Sequence, residues 1–222
     1  MLRDALAVAR KDLKIEWATR VTALQVVPFA VVVLLLFGFA LGPDPQRLEP
    51  AAPGAFWLAV LLAAVLGITR AMSIESSAGA IDGLRLAGFD SAGVFLGKLL
   101  ALGGELVFLE FILSVVTAIV FGVSLAGYLW LVSATIYATL GIVAVGLLYG
   151  ALLVSSRVRE TLLPLLFFPV IAPVLIAGTK VWQAALSHHP SGASSWLEML
   201  VVFGVIYLAI GTVAFGPLLE DA

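Results

Sequence analysis

Two carboxylates, Glu105 and Glu110, sit inside an apolar run, ALGGELVFLEFILSVV. An acid at membrane depth costs a few kcal/mol unless it is paired, protonated or turned toward a polar cavity, so each needs an account. Five residues correspond to about 140° around a helix, which argues against a joint acid–base site. Glu105 falls about two turns inside its span, where Arg70, at the end of the preceding antiparallel span, can reach it. An Arg70–Glu105 ion pair is the expected arrangement, ahead of a substrate path. For Glu110 no partner is legible, and two roles stay open: part of a substrate path, or a protonated packing group.

Other catalytic equipment is sparse. The chain has no cysteine, which removes disulfides, thiolate metal sites and thiol nucleophiles. It lacks a His-Glu-x-x-His helix, a Gly-x-Ser-x-Gly elbow and a Gly-x-Gly-x-x-Gly turn. The nearest approach to a phosphate loop runs from Gly88 to Gly93, but Val94 and Phe95 stand where a Walker sequence needs lysine and then serine or threonine. Without a basic patch interleaved with aromatics outside the membrane, nucleic acid is not an expected partner. The chain is expected not to be an enzyme.

The elements that would position these residues are membrane helices. With 62% hydrophobic and 12% charged residues and a mean hydropathy of +1.15, the chain has no ordinary soluble surface to present. At about 20 apolar residues per crossing, its 222 residues accommodate six spans in one membrane domain, an all-α polytopic fold. The spans are expected at about 21–41, 55–72, 99–121, 125–154, 161–178 and 196–215. Turn formers in GPDPQRLEPAAPG and SHHPSGASS mark linkers between them. The fifth span contains Pro164, Pro169 and Pro173, each of which removes a backbone donor, so a bent and closely packed helix is expected there. Gly38-x-x-x-Gly42 and Gly146-x-x-x-Gly150 are read as internal packing contacts ahead of a dimer seam.

Ahead of the first span, Leu2, Leu6, Ala9, Leu13 and Trp17 share one helical face while Arg3, Arg10 and Lys14 share another, the pattern of a helix lying in the membrane interface over about 1–20. No apolar core precedes Val21, so the stretch does not resemble a cleavable secretory signal and the first span is expected to stay in the mature protein. Under the six-span topology Arg3, Arg10, Lys11, Lys14, Arg20, Arg70, Arg85, Lys98, Arg157 and Arg159 fall on one side, and Arg47 and Lys180 on the other. The crowded side is the cytoplasm, which puts both termini there. The longest cytoplasmic connection, about 73–100, alternates Ile81, Leu84 and Leu86 with Asp82 and Arg85 and is punctuated by Gly79, Gly83 and Gly88. Two readings stand open for it: short helices with an apolar edge for a partner, or a connector whose leucines fold back on the membrane.

Three stretches carry a resemblance: the basic N-terminal helix with Lys11, Asp12 and Leu13; the connector with Glu75, Gly79, Asp82 and then Phe95 to Leu99; and the proline helix from Arg159 to Gly178. Together they resemble permeases of the ABC-2 type, and more narrowly the haem exporter protein B family (CcmB) of cytochrome c maturation, over essentially the full chain. The resemblance implies a permease subunit in the bacterial inner membrane that pairs with a second copy of itself and docks on a separate cytoplasmic ABC ATPase. Other haem-handling membrane proteins would work beside it, with membrane lipids around it. ATP would be bound by the partner, haem would be the substrate, and this chain would bind no cofactor of its own. The coupling role falls on Glu75, Gly79, Ile81, Asp82, Leu84 and Gly88. An alternative within the same resemblance is a membrane scaffold that transmits ATPase motion to haem-chaperone partners without carrying anything. His188 and His189 could ligate haem iron, but adjacent imidazoles in a Pro/Gly/Ser loop cannot easily both face one metal. Solvated loop residues are the expected reading, and no metal site is expected.

Overall fold

Asp44 turns a proline-rich stretch into a helix. Its Oδ1 accepts from the backbone N–H of Gln46 at 3.0 Å. Pro45 takes the first helical position, where its missing donor costs nothing. The linker expected over 42–54 is therefore mostly helical, and Pro50 and Pro53 lie inside the helix. The carbonyls these prolines release belong to Gln46 and Glu49, both exposed near the helix end, so the chain continues where sequence signals read a break.

The computed structural model describes residues 1–77, 89–153, 156, 158–187 and 192–220. Among them there is no strand. The order is α1 (Leu2–Thr19), a π-helical turn (Thr22–Val26) continuing into α2 (Val27–Leu41), α3 (Pro45–Ser77), α4 (Ser91–Phe121), α5 (Tyr128–Leu152), α6 (Arg159–Leu186) and α7 (Ala193–Glu220). Six stretches are long and apolar enough to cross a membrane: Thr22–Leu41, Pro45–Ser73, Ser91–Phe121, Tyr128–Leu152, Thr161–Leu186 and Ala193–Leu218. The all-α, six-span expectation holds; the second, third, fifth and sixth spans are longer than expected, while the fourth, Tyr128–Leu152, is shorter than 125–154. The third begins at Ser91, well ahead of residue 99, and the fifth runs on to Leu186, past residue 178.

Small residues set how closely these helices approach. A Cβ on Gly146 would run into Ile68, and one on Gly150 would meet Met72 Cγ at 2.5 Å, so α5 lies directly against α3. Gly146-x-x-x-Gly150 is thus an internal contact, and Gly38 faces Val120 of α4 in the same manner. Away from α1, Phe56 stacks on Trp182 at 3.8 Å and Trp57 meets Trp182 edge-on at 6.2 Å. Gly178 makes room for the Trp57 indole.

Helix α6 runs unbroken through Pro164, Pro169 and Pro173. Its buried stripe is Leu163, Phe167, Ile171, Val174, Ala177, Val181, Trp182 and Ala185, so none of the prolines belongs to it, and Pro169 is exposed.

Helix α1 has three faces where the sequence pattern distinguished two. Ala5, Val8 and Ala9 are buried. Val8 and the Ala5 carbonyl sit so close to Gly97 of α4 that any side chain there would collide. Leu2, Leu6, Leu13 and Trp17 are exposed, and Arg3, Arg10 and Lys14 flank them. Ala9, assigned from sequence to the membrane-facing stripe, instead packs inward, because the smallest residues permit the closest helix approach.

Candidate functional site

The polar residues of the bundle gather where α1 meets α3 and α4. Two local devices bring them together. Arg20 ends α1 in the left-handed conformation (φ 53°, ψ 26°), with its N–H bonded to the Glu16 carbonyl. The π-turn follows, and the Val27 N–H reaches back to the Thr22 carbonyl. Pro28 comes next; it has no N–H to continue an ordinary ladder, which accounts for a wider turn immediately before it. The result presents Thr22 to two acids at once.

Glu16 is the hub. Its Oε1 accepts from the Thr22 backbone N–H at 2.6 Å and its Oε2 from Arg70 Nη1 at 2.7 Å, while Arg70 Nη2 donates to Thr19 Oγ1 at 2.8 Å. Thr22 Oγ1 donates to Glu105 Oε2 at 3.3 Å. Beside this chain Lys98, only 3% exposed, donates to Asp12 Oδ2 at 3.4 Å, and Asp12 also pairs with Lys11 at 3.0 Å. Of these, the Arg70–Glu16 contact at 2.7 Å has the length of a strong charge-assisted bond.

The expected Arg70–Glu105 pair is corrected by this geometry. Arg70 and Glu105 line the same small cavity of about 50 Å³, together with Asp12, Glu16, Thr22 and Lys98, but the guanidinium is committed to Glu16. Antiparallel spans do bring Arg70 and Glu105 to one cavity, but nothing in a linear sequence places Glu16 of α1 beside Arg70. Glu16, Thr19, Thr22, Asp12 and Lys98 are thus members of the site that sequence reasoning missed. The legible signal was the spacing of Asp12 and Glu16, one turn apart on the face of α1 that carries no arginine.

Glu105 also borders two further spaces. One is a cleft of about 370 Å³ lined by Leu13, Trp17, Arg20, Ala23, Gly104 and Phe108 among others. The other, about 30 Å³, lies deeper, between Val26, Gly67, Leu106, Leu109 and Val143. A carboxylate bordering three adjoining spaces is placed to meet water or a polar group entering from the α1 end.

Glu110 is fully buried at a different seam. Its Oε2 accepts from Thr139 Oγ1 of α5 at 2.8 Å, and its Oε1 has no partner among the described residues. Thr139 answers the question of a partner that the sequence left open. A second cleft, of about 280 Å³, adjoins it between α4 and α5, lined by Ser114, Tyr128 and Thr135 among others.

Of the remaining sequence candidates, Glu75 lies in the last turns of α3, and Pro164, Pro169 and Pro173 lie in α6. Gly79, Ile81, Asp82, Leu84 and Gly88 lie outside the described residues, as do His188 and His189. Among the described residues no three histidine or acidic side chains are grouped to hold a metal ion.

Comparison with known proteins bears on the whole of this architecture. The family model described as CcmB protein matches residues 3–221. The chain belongs to the CcmB family. It is similar to heme exporter protein B of Haemophilus influenzae, with 28% identity over 216 residues, 96% of this chain and 93% of that protein. Heme exporter protein B of Paracoccus denitrificans is 31% identical over 193 residues, 85% of this chain and 84% of its own length. The Pseudomonas aeruginosa protein of the same name is 30% identical over 182 residues, 80% of each. The CcmB match spans every helix of the site, from α1 through α4 to the end of α7.

Proposed function

We propose that this CcmB-family chain is the membrane permease subunit of an ABC-type haem exporter in the bacterial inner membrane, driven by ATP hydrolysis on a separate subunit. One observation carries the reading: the family match runs from residue 3 to residue 221, and relatives covering most of the chain bear the name heme exporter protein B. The chain acts as one membrane unit, pairs with a second copy of itself, and handles haem as substrate beside other haem-handling membrane proteins. Both termini face the cytoplasm, because Arg3, Arg10, Lys11, Lys14, Arg20, Arg70 and Lys98 crowd the α1 end while Arg47 and Lys180 occupy the opposite one.

The site's arrangement supports a mechanical role for that end. Helix α1 is fastened to α3 by Glu16–Arg70 and to α4 by Asp12–Lys98 and the Gly97 contact, the two helices on either side of the connector. A push on the connector by a closing ATPase would therefore be shared by α1, α3 and α4 as one block. The docking segment is Glu75 to Gly88, with Ile81 and Leu84 as its apolar contacts.

Leu84→Glu tests this directly, since it buries a charge at a packed contact. The variant should insert into the membrane at normal levels and lose co-purification with the ATPase subunit. Undiminished recovery of the ATPase by that variant would remove the docking assignment.

A further inference from the structure

The cleft between α1, the π-turn and α4 has a composition the proposed transport role does not use. Its volume, about 370 Å³, falls in the range of about 300–1,000 Å³ typical of ligand sites. Leu13 and Trp17 wall it on the α1 side, Ala23 on the first span, and Phe108 on α4. Gly104 forms part of its lining, and a Cβ built there meets nothing within 4 Å. The space is therefore open, and a side chain at 104 would occupy it.

Charge around the cleft is distributed unevenly. Glu16 and Glu105 belong to the lining, yet both are at least half-buried and engaged, the first by Arg70 and the second by Thr22. The exposed charge is Arg20, held outward at the corner by its left-handed backbone, and it has no ion-pair partner among the described residues. Arg3, Arg10 and Lys14 continue the basic edge along α1 beside Leu2, Leu6 and Trp17. Trp17 is 76% exposed at the rim, an indole in the position such rings favour at headgroup level.

We propose that this cleft binds one acidic phospholipid, its acyl chain lying over Gly104 between Trp17 and Phe108 and its phosphate paired with Arg20. A cationic rim above an apolar trough matches an amphiphile with an anionic head, and arginine forms the bidentate contact a phosphate offers. A second copy of this chain fits less well, because a twofold arrangement would bring the same row of cations against itself.

The test uses the full-length chain in phosphatidylcholine vesicles containing either brominated phosphatidylglycerol or brominated phosphatidylcholine at equal mole fraction. Quenching at Trp17 is read as the difference between the unmodified chain and its Trp17→Phe variant. The expected result is quenching by the acidic lipid at several-fold lower mole fraction, about fivefold for one arginine contact at the surface. Arg20→Asn, which keeps a residue tolerant of the left-handed backbone, should erase that preference, lowering quenching by phosphatidylglycerol more than by phosphatidylcholine, whose choline already neutralises its phosphate. Gly104→Leu should reduce quenching by both lipids by filling the trough. Equal quenching by the two lipids in the unmodified chain overturns the proposal without any variant having to fold. Loss of quenching as the protein-to-lipid ratio rises would overturn it as well, by giving the cleft to a second copy.

Discussion

Glu105 and Glu110 are five residues apart on one helix, and α4 carries them into opposite kinds of surroundings. Glu105 looks toward the α1 end, where a hydroxyl from the π-turn, a neighbouring guanidinium–carboxylate pair and three adjoining spaces surround it. Glu110 looks into the α4–α5 seam, where Thr139 supplies a single hydroxyl bond and one cleft, with Ser114, Tyr128 and Thr135 among mostly apolar neighbours, adjoins it. The two share a residue type and a helix and lie about 7.5 Å apart along it, so both direction and depth separate their surroundings. About 140° of rotation separates a site with a rigid polar partner network from a single buried hydrogen bond. An acid within a span is thus a reason to look for a partner, and says little about which kind.

That contrast breaks most readily at Arg70. Arg70→Ala strips Glu16 of its cation while leaving the carboxylate mostly enclosed, and should lower stability by about 3 kcal/mol, read from thermal unfolding in detergent. Combined with Glu16→Gln, the loss should be well short of the sum of the two single variants. Combined with Glu105→Gln it should be close to additive, because the guanidinium does not bond to Glu105. Strong coupling in the second cycle and none in the first would restore the Arg70–Glu105 pair and erase the distinction drawn here.

A smaller effect is expected at the other acid. Thr139→Val removes the one donor to Glu110 and should cost about 1 kcal/mol, in keeping with hydrogen bonds between membrane helices. Thr139→Ser should recover most of it. If valine were neutral, the hydroxyl would not be holding the carboxyl, and the α4–α5 seam would rest on packing alone. The smallest change is expected from Thr22→Val, about 0.5 kcal/mol, since the 3.3 Å contact with Glu105 is long and half-buried while the backbone bond from residue 22 to Glu16 survives. A loss as large as that of Arg70→Ala would mean that Glu16 and Glu105 are linked through Thr22 more tightly than these distances indicate.

Hydropathy alone determined that this is an integral membrane protein of six spans, because a bilayer requires long apolar helices whose backbones satisfy themselves. It also determined that α1 carries an exposed apolar stripe beside a basic one, since a period of 3.6 residues is a property of the chain before it meets any neighbour. Gly146 and Gly150 announced a close helix contact, though not that α3 would fill it. Helix ends were less legible: Asp44 before Pro45 is a local start signal masked by the prolines that follow, whereas α4 extending back to Ser91 to lie along α1 depends on contacts made at a distance. Tertiary structure alone decided the site. The partner of Arg70 is Glu16, 54 positions earlier, and that of Glu110 is Thr139, 29 positions later. Side-chain polarity tells a residue that it needs a partner in a medium without water, while the choice among candidates is made by helix packing, which fixes which face turns to which neighbour and how closely.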